Sequence, residues 1–315
     1  VYRNTATTNA SYIGMWGGIY FNEANRAAVS NNSITGNVAN SGGGSGTGGG
    51  LAIYKSQQVN VSNNLVLDNV STSSANPQFM YDVGGGVRVS FGSLVTLTNN
   101  IIAGNRAPGG GGGVHVVGYL GVAPVDSTQA TLWHNTVADN GAQTGLALTG
   151  KGEPRGQAAP GQASRETGEN TISSLGELLL MAAGRQAQPG ISPGRVQTQA
   201  EAQGLLVSWN ATLNAVNNIV SGHTLGISVT MPVSSTTTMD YTLWNNTSNY
   251  SVGVTHSNDR SGAPAFVNPA GRTYHITASS AARDAGTNAG VTTDIDGNAR
   301  PQGAGYDIGA DEYVP

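Results

Sequence analysis

Asparagine recurs at a fixed distance from short apolar strands, and this internal repeat constrains the fold more than any other feature of the sequence. Each repeat starts with a strand after glycine, and an asparagine follows thirteen residues after the strand's first residue, or twenty-one in one longer repeat. The strands start at Ile19, Leu51, Val87, Val114 and Leu205. These asparagines are Asn32, Asn64, Asn100, Asn135 and Asn218. Five residues beyond them lie Asn37, Asn69, Asn105, Asn140 and, in the fifth repeat, His223.

Residues around the first asparagine of each repeat alternate between apolar and polar. A β-branched residue lies two positions after it, as in Ile34, Val66 and Ile102. Period-two alternation with β-branched residues indicates short strands that bury one face. Repeat length varies mainly between the second asparagine and the next strand, as expected when insertions are loops at one corner of a solenoid. We therefore predict that each repeat is one coil of a parallel β-helix.

Stacking of such coils gives the asparagines a structural role. Equivalent residues of successive coils lie about 4.8 Å apart, so side-chain amides at a bend can hydrogen-bond up the stack. Asparagine also tolerates the left-handed backbone conformation that tight corners need. We predict a structural ladder of the nine asparagines. The alternative is a ladder of ligand-binding side chains.

Composition excludes several classes of protein. The chain has 315 residues, of which 38% are hydrophobic, and 46 glycines, which suits a thin β-coil better than a helical domain. It has no cysteine, so a disulfide framework or a cysteine-based zinc site is excluded. A net charge of −4 argues against nucleic acid as the main partner. No apolar stretch is long enough for a transmembrane segment.

The amino terminus and one internal segment depart from the repeat. Residues 1–10 lack a signal-peptide pattern and begin in mid-repeat, so we expect that a leader and earlier coils have been removed. An uncovered first coil also suggests end-to-end self-association, which could extend into a filament; the alternative is a truncated fragment. Residues 149–203 form an insertion, in which Ser174 and Glu177 offer a capping box for a short helix. We interpret the insertion as flexible chain; the alternative is a lid or docking helix.

A different pattern fills the carboxy-terminal residues. Its motifs are Ala265–Pro269, Tyr274–Ile276, Ser279–Gly286, Asp294–Pro301 and Tyr306–Tyr313. Residues 263–315 resemble the terminal module of choice-of-anchor Q proteins, which are secreted or surface-bound bacterial proteins with right-handed parallel β-helix repeats. The resemblance implies an all-β chain, with right-handed coils over residues 1–262 followed by a turn-rich capping module. In that family a cell-surface sorting element often follows the module.

Acidic residues of this module raise the question of a metal. Asp294 and Asp296 stand in an Asp-x-Asp-Gly-Asn run whose oxygens could bind calcium, although an EF-hand spacing is missing. The alternative is a set of turn-forming aspartates that pair with Arg283 and Arg300 and tie the last coil shut. We expect no other cofactor.

Catalysis on polysaccharides requires particular residues. Glycoside hydrolysis needs two carboxyl groups about 5–9.5 Å apart, and in the repeats only Asp68 and Asp139 share a repeat position. Lyases of this fold use a basic residue near calcium-binding acids, for which the nearest candidates are Arg88 and His115. With Tyr20, these two residues form a predicted outward row, one residue after their strand starts. The alternative for this row is solvated surface.

Loops at the variable corner could also bind a ligand. They carry Phe79, Tyr81 and Asp82, and a second long loop carries Tyr119. Exposed aromatic rings on a rigid solenoid suit sugar stacking or protein contact; the alternative is that these glycine-rich loops are merely permissive.

Together these features predict a non-catalytic, secreted or cell-surface β-helix protein that is structural, adhesive or glycan-binding in a bacterial envelope or extracellular matrix. Its partners would be surface or matrix glycans or proteins. The alternative is a polysaccharide lyase or glycoside hydrolase of the parallel β-helix type.

Overall fold

The computed structural model describes residues 1–7, 14–42, 46–72, 83–118, 127–141, 203–230 and 234–315. The chain divides into two compact units, Val1–Gln143 with Gln199–Pro315, and Thr144–Thr198. All described residues belong to the first unit. The predicted insertion lies outside them except for Gln203, which begins a strand.

Three seven-stranded parallel sheets contain most of the described strands. The first sheet contains Ile19–Asn22, Leu51–Tyr54, Val87–Ser90, Val114–Val117, Gln203–Ser208, Leu225–Thr230 and Ser248–Tyr250. The second sheet contains Ala28–Ser30, Val59–Ser62, Leu94–Thr98, Thr128–Trp133, Ala211–Val216, Thr236–Asp240 and Val254–Ser257. The third sheet contains Ser33–Thr35, Leu65–Leu67, Ile101–Ala103, Thr136–Ala138, Ile219–Ser221, Leu243–Asn245 and Arg260–Ser261.

Shorter elements complete the fold. A three-stranded parallel sheet contains Thr5–Thr7, Val38–Asn40 and Val70–Thr72, and Gly14–Met15 pairs with Gly46–Thr47. The carboxy-terminal module has an antiparallel hairpin, Phe266–Asn268 with Thr273–Ile276, around the 3₁₀ turn Pro269–Gly271. The described residues include no helix with the length and hydropathy needed to cross a membrane.

Strand register confirms the predicted parallel β-helix, which is right-handed. Ile19, Leu51 and Val87 are directly paired in the first sheet, and the pairing continues through Val114 and Leu205. Two further coils follow the five that the repeat predicted. The first of them escaped the pattern because Thr242 occupies the position where the earlier coils have asparagine, as shown by the pairing of the next residues, Ile219 and Leu243. In the second, Asp259 takes this position, since the next residue, Arg260, pairs with Leu243.

Alternating side chains from all three sheets fill one continuous core inside the coil. The second sheet shows the alternation: Val59 and Val61 are buried, whereas Asn60 between them is exposed. Toward the carboxy-terminal end the same core includes Met239 and Trp244. Every coil thus buries a strip of apolar side chains that only its neighbouring coils can cover.

The first asparagines form a hydrogen-bonded ladder along one corner. The backbone N–H and the Nδ2 of Asn100 both donate to Oδ1 of Asn135, each at 2.9 Å. The same Nδ2 also donates to the carbonyl oxygen of Val61 at 2.8 Å. The same pattern links Asn32, Asn64, Asn100, Asn135 and Asn218.

A second ladder follows the next corner. Its members are Asn4, Asn37, Asn69, Asn105, Asn140, His223 and Asn246. His223 fits because its Nε2 accepts the Asn140 backbone N–H at 3.2 Å and its Nδ1 lies 2.9 Å from Oδ1 of Asn246. The neutral Nδ1–H tautomer satisfies both contacts at once.

The ladder asparagines do not themselves adopt the left-handed conformation, contrary to the sequence expectation. The residue before the ladder position does in most coils, as in Asn63 (φ 54°), Asn99 (φ 52°) and Asn217 (φ 57°) in the first ladder. In the second ladder, Asp68 (φ 56°) and Asp139 (φ 52°) take this place. Such a corner combines a left-handed residue that turns the chain with an inward side chain that satisfies the buried backbone.

The carboxy-terminal module packs against the outer face of the third sheet, not over the last coil as predicted. Tyr274 and Ala310 join a buried cluster with Ile101 and Ala103. A second cluster packs module residues such as Ile308 against the third-sheet strands. The physical reason is that outward positions of this sheet are apolar, so both of its faces need cover.

Polar bonds at the left-handed corners fix the module's position. The Nδ2 of Asn99 donates to the Thr293 carbonyl oxygen at 2.7 Å. Oδ1 of Asn217 accepts the Thr287 N–H at 2.9 Å. Within the module Arg300 pairs with Glu312 at 2.8 Å, and both side chains are fully buried. The buried pair depends on its additional hydrogen bonds, among them Arg300 Nη2 to the Gly309 carbonyl oxygen at 2.8 Å.

His223 makes the second ladder sensitive to acid. Burial lowers the pKa of His223 to about 4, against about 6.5 for a free imidazole. Between these values the unfolded chain binds a proton that the native chain does not, so native stability falls as the pH falls from about 6.5 to about 4. We predict that His223→Asn keeps the ladder and reduces this loss by about 3 kcal/mol.

Urea denaturation of both proteins at about pH 7 and about pH 4.5 measures the difference. Other buried histidines, such as His134, are present in both proteins, so the comparison isolates position 223. The same pH dependence in both proteins would contradict the lowered pKa and neutral form assigned to His223.

Candidate functional site

The predicted row of Tyr20, Arg88 and His115 lies in one register on the first sheet. Tyr20 pairs with Ala52, Ala52 with Arg88 and Arg88 with His115 on successive coils. Their neighbours in each strand, such as Val87 and Val89, belong to the core, so the row faces out of the coil.

Arg88 and His115 are not solvated surface, although they face outward. His115 is 4% exposed, and its Nε2 lies 2.9 Å from the Ser208 hydroxyl. Arg88 is partly buried and donates to the Thr47 hydroxyl. Burial lowers the pKa of Arg88 to about 10, and burial followed by the charge of Arg88 lowers the pKa of His115. A neutral imidazole thus lies beside a guanidinium group.

Tyr20 takes part in a stacked pair of aromatic rings. The ring centroids of Trp16 and Tyr20 are 3.5 Å apart, and the ring planes differ by 7°. Both residues are partly exposed. The pair lies beside Gly48 and Ala52 of the next coil, where a Cβ added at Gly48 would come 3.1 Å from Cδ1 of Trp16. Small neighbours therefore leave space for the indole ring.

The backbone of Trp16 is left-handed, with a φ of 64°. The position three residues before the strand start is left-handed in the next coils as well, and there it is occupied by Gly48 (φ 69°), Gly84 (φ 71°) and Gly111 (φ 63°). A left-handed non-glycine residue costs roughly 1–2 kcal/mol. Glycine would serve this turn without that cost, and what Trp16 adds is a partly exposed ring stacked on Tyr20. Strain of this kind concentrates at functional sites.

Two more aromatic residues lie on the neighbouring coils. The rings of Tyr54 and Phe91 are 4.9 Å apart. The ammonium group of Lys55 lies 5.3 Å from the Tyr54 ring centroid and 3.7 Å from Glu23. We call Trp16, Tyr20, Tyr54 and Phe91 the aromatic face.

Electrostatics of the aromatic face keep Tyr20 neutral. Burial first, and then the nearby Tyr54 and Glu23, raise the pKa of Tyr20. Its hydroxyl therefore stays a hydrogen-bond donor at neutral pH, next to the apolar face of its ring. Such a ring suits a ligand with an apolar side and polar groups at its edge.

The carboxylates that could have formed a hydrolytic pair bind the carboxy-terminal module instead. Arg272 forms an ion pair with Asp68, with Nε 3.0 Å from Oδ2. The Tyr274 hydroxyl donates to Oδ2 of Asp139 at 2.9 Å. Both carboxylates thus have structural partners under the module.

Both carboxylate oxygens of Asp294 accept hydrogen bonds within the module, as the turn-forming alternative expects, and calcium binding stays a prediction. Its Oδ1 accepts the backbone N–H groups of Asp296 and Asn298 at 2.9 and 2.8 Å. Its Oδ2 accepts the Asn298 side-chain amide and the Glu312 N–H, both at 3.1 Å. The buried carboxylate thus accepts four hydrogen bonds, which stabilise a turn. Asp296 has a different partner, the His275 ring, at 2.7 Å.

The loop candidates Phe79, Tyr81, Asp82 and Tyr119 lie outside the described residues. Sequence reasoning placed Trp16 just before the first coil and gave it no role in the site. The sequence does contain a sign of its special role, since glycine occupies the position three residues before each of the next three strand starts. The outward apolar residues of the third sheet were also overlooked, although Leu65–Leu67 and Ile101–Ala103 are uninterrupted apolar triplets.

Comparison with known protein families agrees with the coil architecture. A family model described as a right-handed β-helix region matches residues 1–153. No curated protein matches the chain. Among solved structures, a crystal structure of pectate lyase Pel9A matches at 13% identity with a TM-score of 0.28, over 99% of this chain and 86% of that chain. This likeness says nothing about activity here. The resemblance of residues 263–315 to the choice-of-anchor Q module stays a prediction.

Strain at Trp16 can be measured directly. Trp16→Gly and Trp16→Ala both remove the ring contact with Tyr20, but only glycine relaxes the left-handed backbone. We predict that the glycine variant is more stable than the alanine variant by about 1 kcal/mol, measured as free energy of unfolding in urea. Equal stability of the two variants would show that Trp16 is not strained.

Proposed function

We propose that this protein is a non-catalytic, secreted or cell-surface β-helix that binds glycans at its aromatic face. The observation that carries the proposal is Trp16, an aromatic residue held in a strained left-handed turn where glycine serves the equivalent coils. A bulky ring at a turn that favours glycine, stacked on Tyr20 and still partly exposed, favours a role in binding. Its ring and that of Tyr20 lie on a rigid solenoid, which keeps both in place before a ligand arrives.

A sugar ring is the ligand that best fits this chemistry. The aromatic face combines apolar ring surfaces with the Tyr20 hydroxyl and the Glu23–Lys55 ion pair at its edge. A pyranose likewise has an apolar C–H side and a rim of hydroxyl groups. Stacking with edge hydrogen bonds matches both parts of such a ligand. Extracellular placement rests on the resemblance of the carboxy-terminal module to choice-of-anchor Q proteins.

Polysaccharide cleavage is the alternative function. Arg88 and His115 are adjacent, but their side chains bond to Thr47 and Ser208. The carboxylates of Asp68 and Asp139 bond to the carboxy-terminal module. These contacts favour binding over catalysis.

A glycan array, followed by calorimetry on the strongest ligand, tests the proposal. We predict that Trp16→Gly and Tyr20→Ala each weaken binding about tenfold or more, because buried aromatic anchors dominate binding energy. Trp133→Ala is the matched control, since Trp133 is also exposed but lies on the second sheet. The control variant is expected to bind as the unaltered protein does.

Two outcomes would contradict the proposal. One is equal binding by the Trp16→Gly variant and the Trp133→Ala control, which would place the ligand elsewhere. The other is release of new reducing ends or unsaturated uronate products from the bound polysaccharide, which would establish cleavage instead.

A further inference from the structure

Three segments of the carboxy-terminal module meet at one point on its surface. The segments are Thr273–Ile276, residues 294–298 and residues 309–312. The Ile276 N–H donates to Oδ2 of Asp311 at 2.7 Å. The Ile295 N–H donates to the Ala310 carbonyl oxygen at 2.9 Å. Backbone bonds therefore hold the three segments together before any ligand binds.

Each segment contributes one metal-ligating side chain. His275, Asp296 and Asp311 place one candidate ligand atom each, all within 4.8 Å of one another. Strand alternation turns Tyr274 and Ile276 toward the interior, where both are buried, and so turns His275 outward. Nε2 of His275 lies 2.7 Å from Oδ2 of Asp296.

Protein hydrogen bonds satisfy this group only in part. Nδ1 of His275 is buried and has no hydrogen-bond partner within the described chain. Asp311 is 5% exposed and receives the single backbone N–H of Ile276 from the described residues. By contrast, the neighbouring Asp294 accepts four hydrogen bonds and has the environment of a structural carboxylate. An incompletely bonded imidazole beside a buried carboxylate needs a further partner.

The geometry points to a binding site for one divalent transition-metal ion, held by His275, Asp296 and Asp311. An imidazole with two carboxylates is a ligand set that suits zinc and related ions, and two carboxylate charges balance a dication. Calcium prefers six to eight oxygen ligands, so the imidazole disfavours it. The site is on the module and independent of the aromatic face.

A second histidine–aspartate pair offers a matched control. Nδ1 of His256 lies 3.1 Å from Oδ2 of Asp259, and the His256 side chain is 36% exposed, similar to the 34% of His275. The Asp259 carboxylate already accepts the Thr242 N–H and the Trp244 ring N–H. Within the described residues this pair has no third metal-ligating group.

Calorimetric titration of the metal-free full chain with zinc chloride tests the site. One equivalent should bind, and His275→Ala and Asp296→Asn should each weaken binding at least about tenfold, while His256→Ala leaves it unchanged. Calcium chloride should neither bind there nor displace zinc. Metal-free variants should melt at the same temperature as the unaltered protein, because His275 and Asp296 are partly exposed.

Several results would overturn the assignment. They are the absence of zinc binding, unchanged binding in both His275→Ala and Asp296→Asn, or equal weakening by His256→Ala. Displacement of zinc by an equal concentration of calcium would also overturn it. If one of these two variants melts at a lower temperature than the unaltered protein, zinc binding by the other variant decides the question. Asp296→Asn keeps the size and most of the polarity of the side chain.

Discussion

Backbone groups buried at the corners of each coil need hydrogen-bond partners, and the two asparagine ladders supply them. A strand can pair its own backbone with the coils on either side, but a tight corner turns its amides toward the core. There Oδ1 of Asn100 accepts both the backbone N–H and the side-chain amide of Asn64. From Asn64 onward the asparagines also donate to a carbonyl oxygen of the preceding coil, as Asn100 does to Val61. A buried amide without such a partner costs about 1–3 kcal/mol, so the ladders fix where each coil bends.

Fixed corners in turn determine what each outer face presents. The left-handed residues next to the ladders point their side chains outward, and Asn99 and Asn217 use theirs to hold the carboxy-terminal module. The module covers the apolar outer side of the third sheet and thereby occupies Asp68 and Asp139. The first sheet keeps the aromatic face. The strand register thus separates the surface covered by the module from the aromatic face.

The sequence was sufficient to predict the coil but not the surroundings of its side chains. Spacing between strand starts and asparagines revealed the register, because stacking requires equivalent residues in every coil. The last two coils were missed, since Thr242 and Asp259 occupy the position where the earlier coils have asparagine. Outward orientation of Arg88 and His115 followed from alternation, whereas their burial depends on contacts with Thr47 and Ser208 from other coils. The convergence of His275, Asp296 and Asp311 likewise depends on folding of distant segments.

The asparagine ladders hold the coils in register, and the free energy of unfolding of an Asn100→Leu variant measures their contribution. Leucine would remove the acceptor of the buried Asn64 N–H and one of the three acceptors of the Asn64 side-chain amide, together with the Asn100 amide that donates to the Val61 carbonyl oxygen. The account predicts a loss of about 3–5 kcal/mol in the free energy of unfolding in urea, against less than about 0.5 kcal/mol for the control Asn60→Leu on the exposed side of the second sheet. Equal losses for the two variants would contradict it.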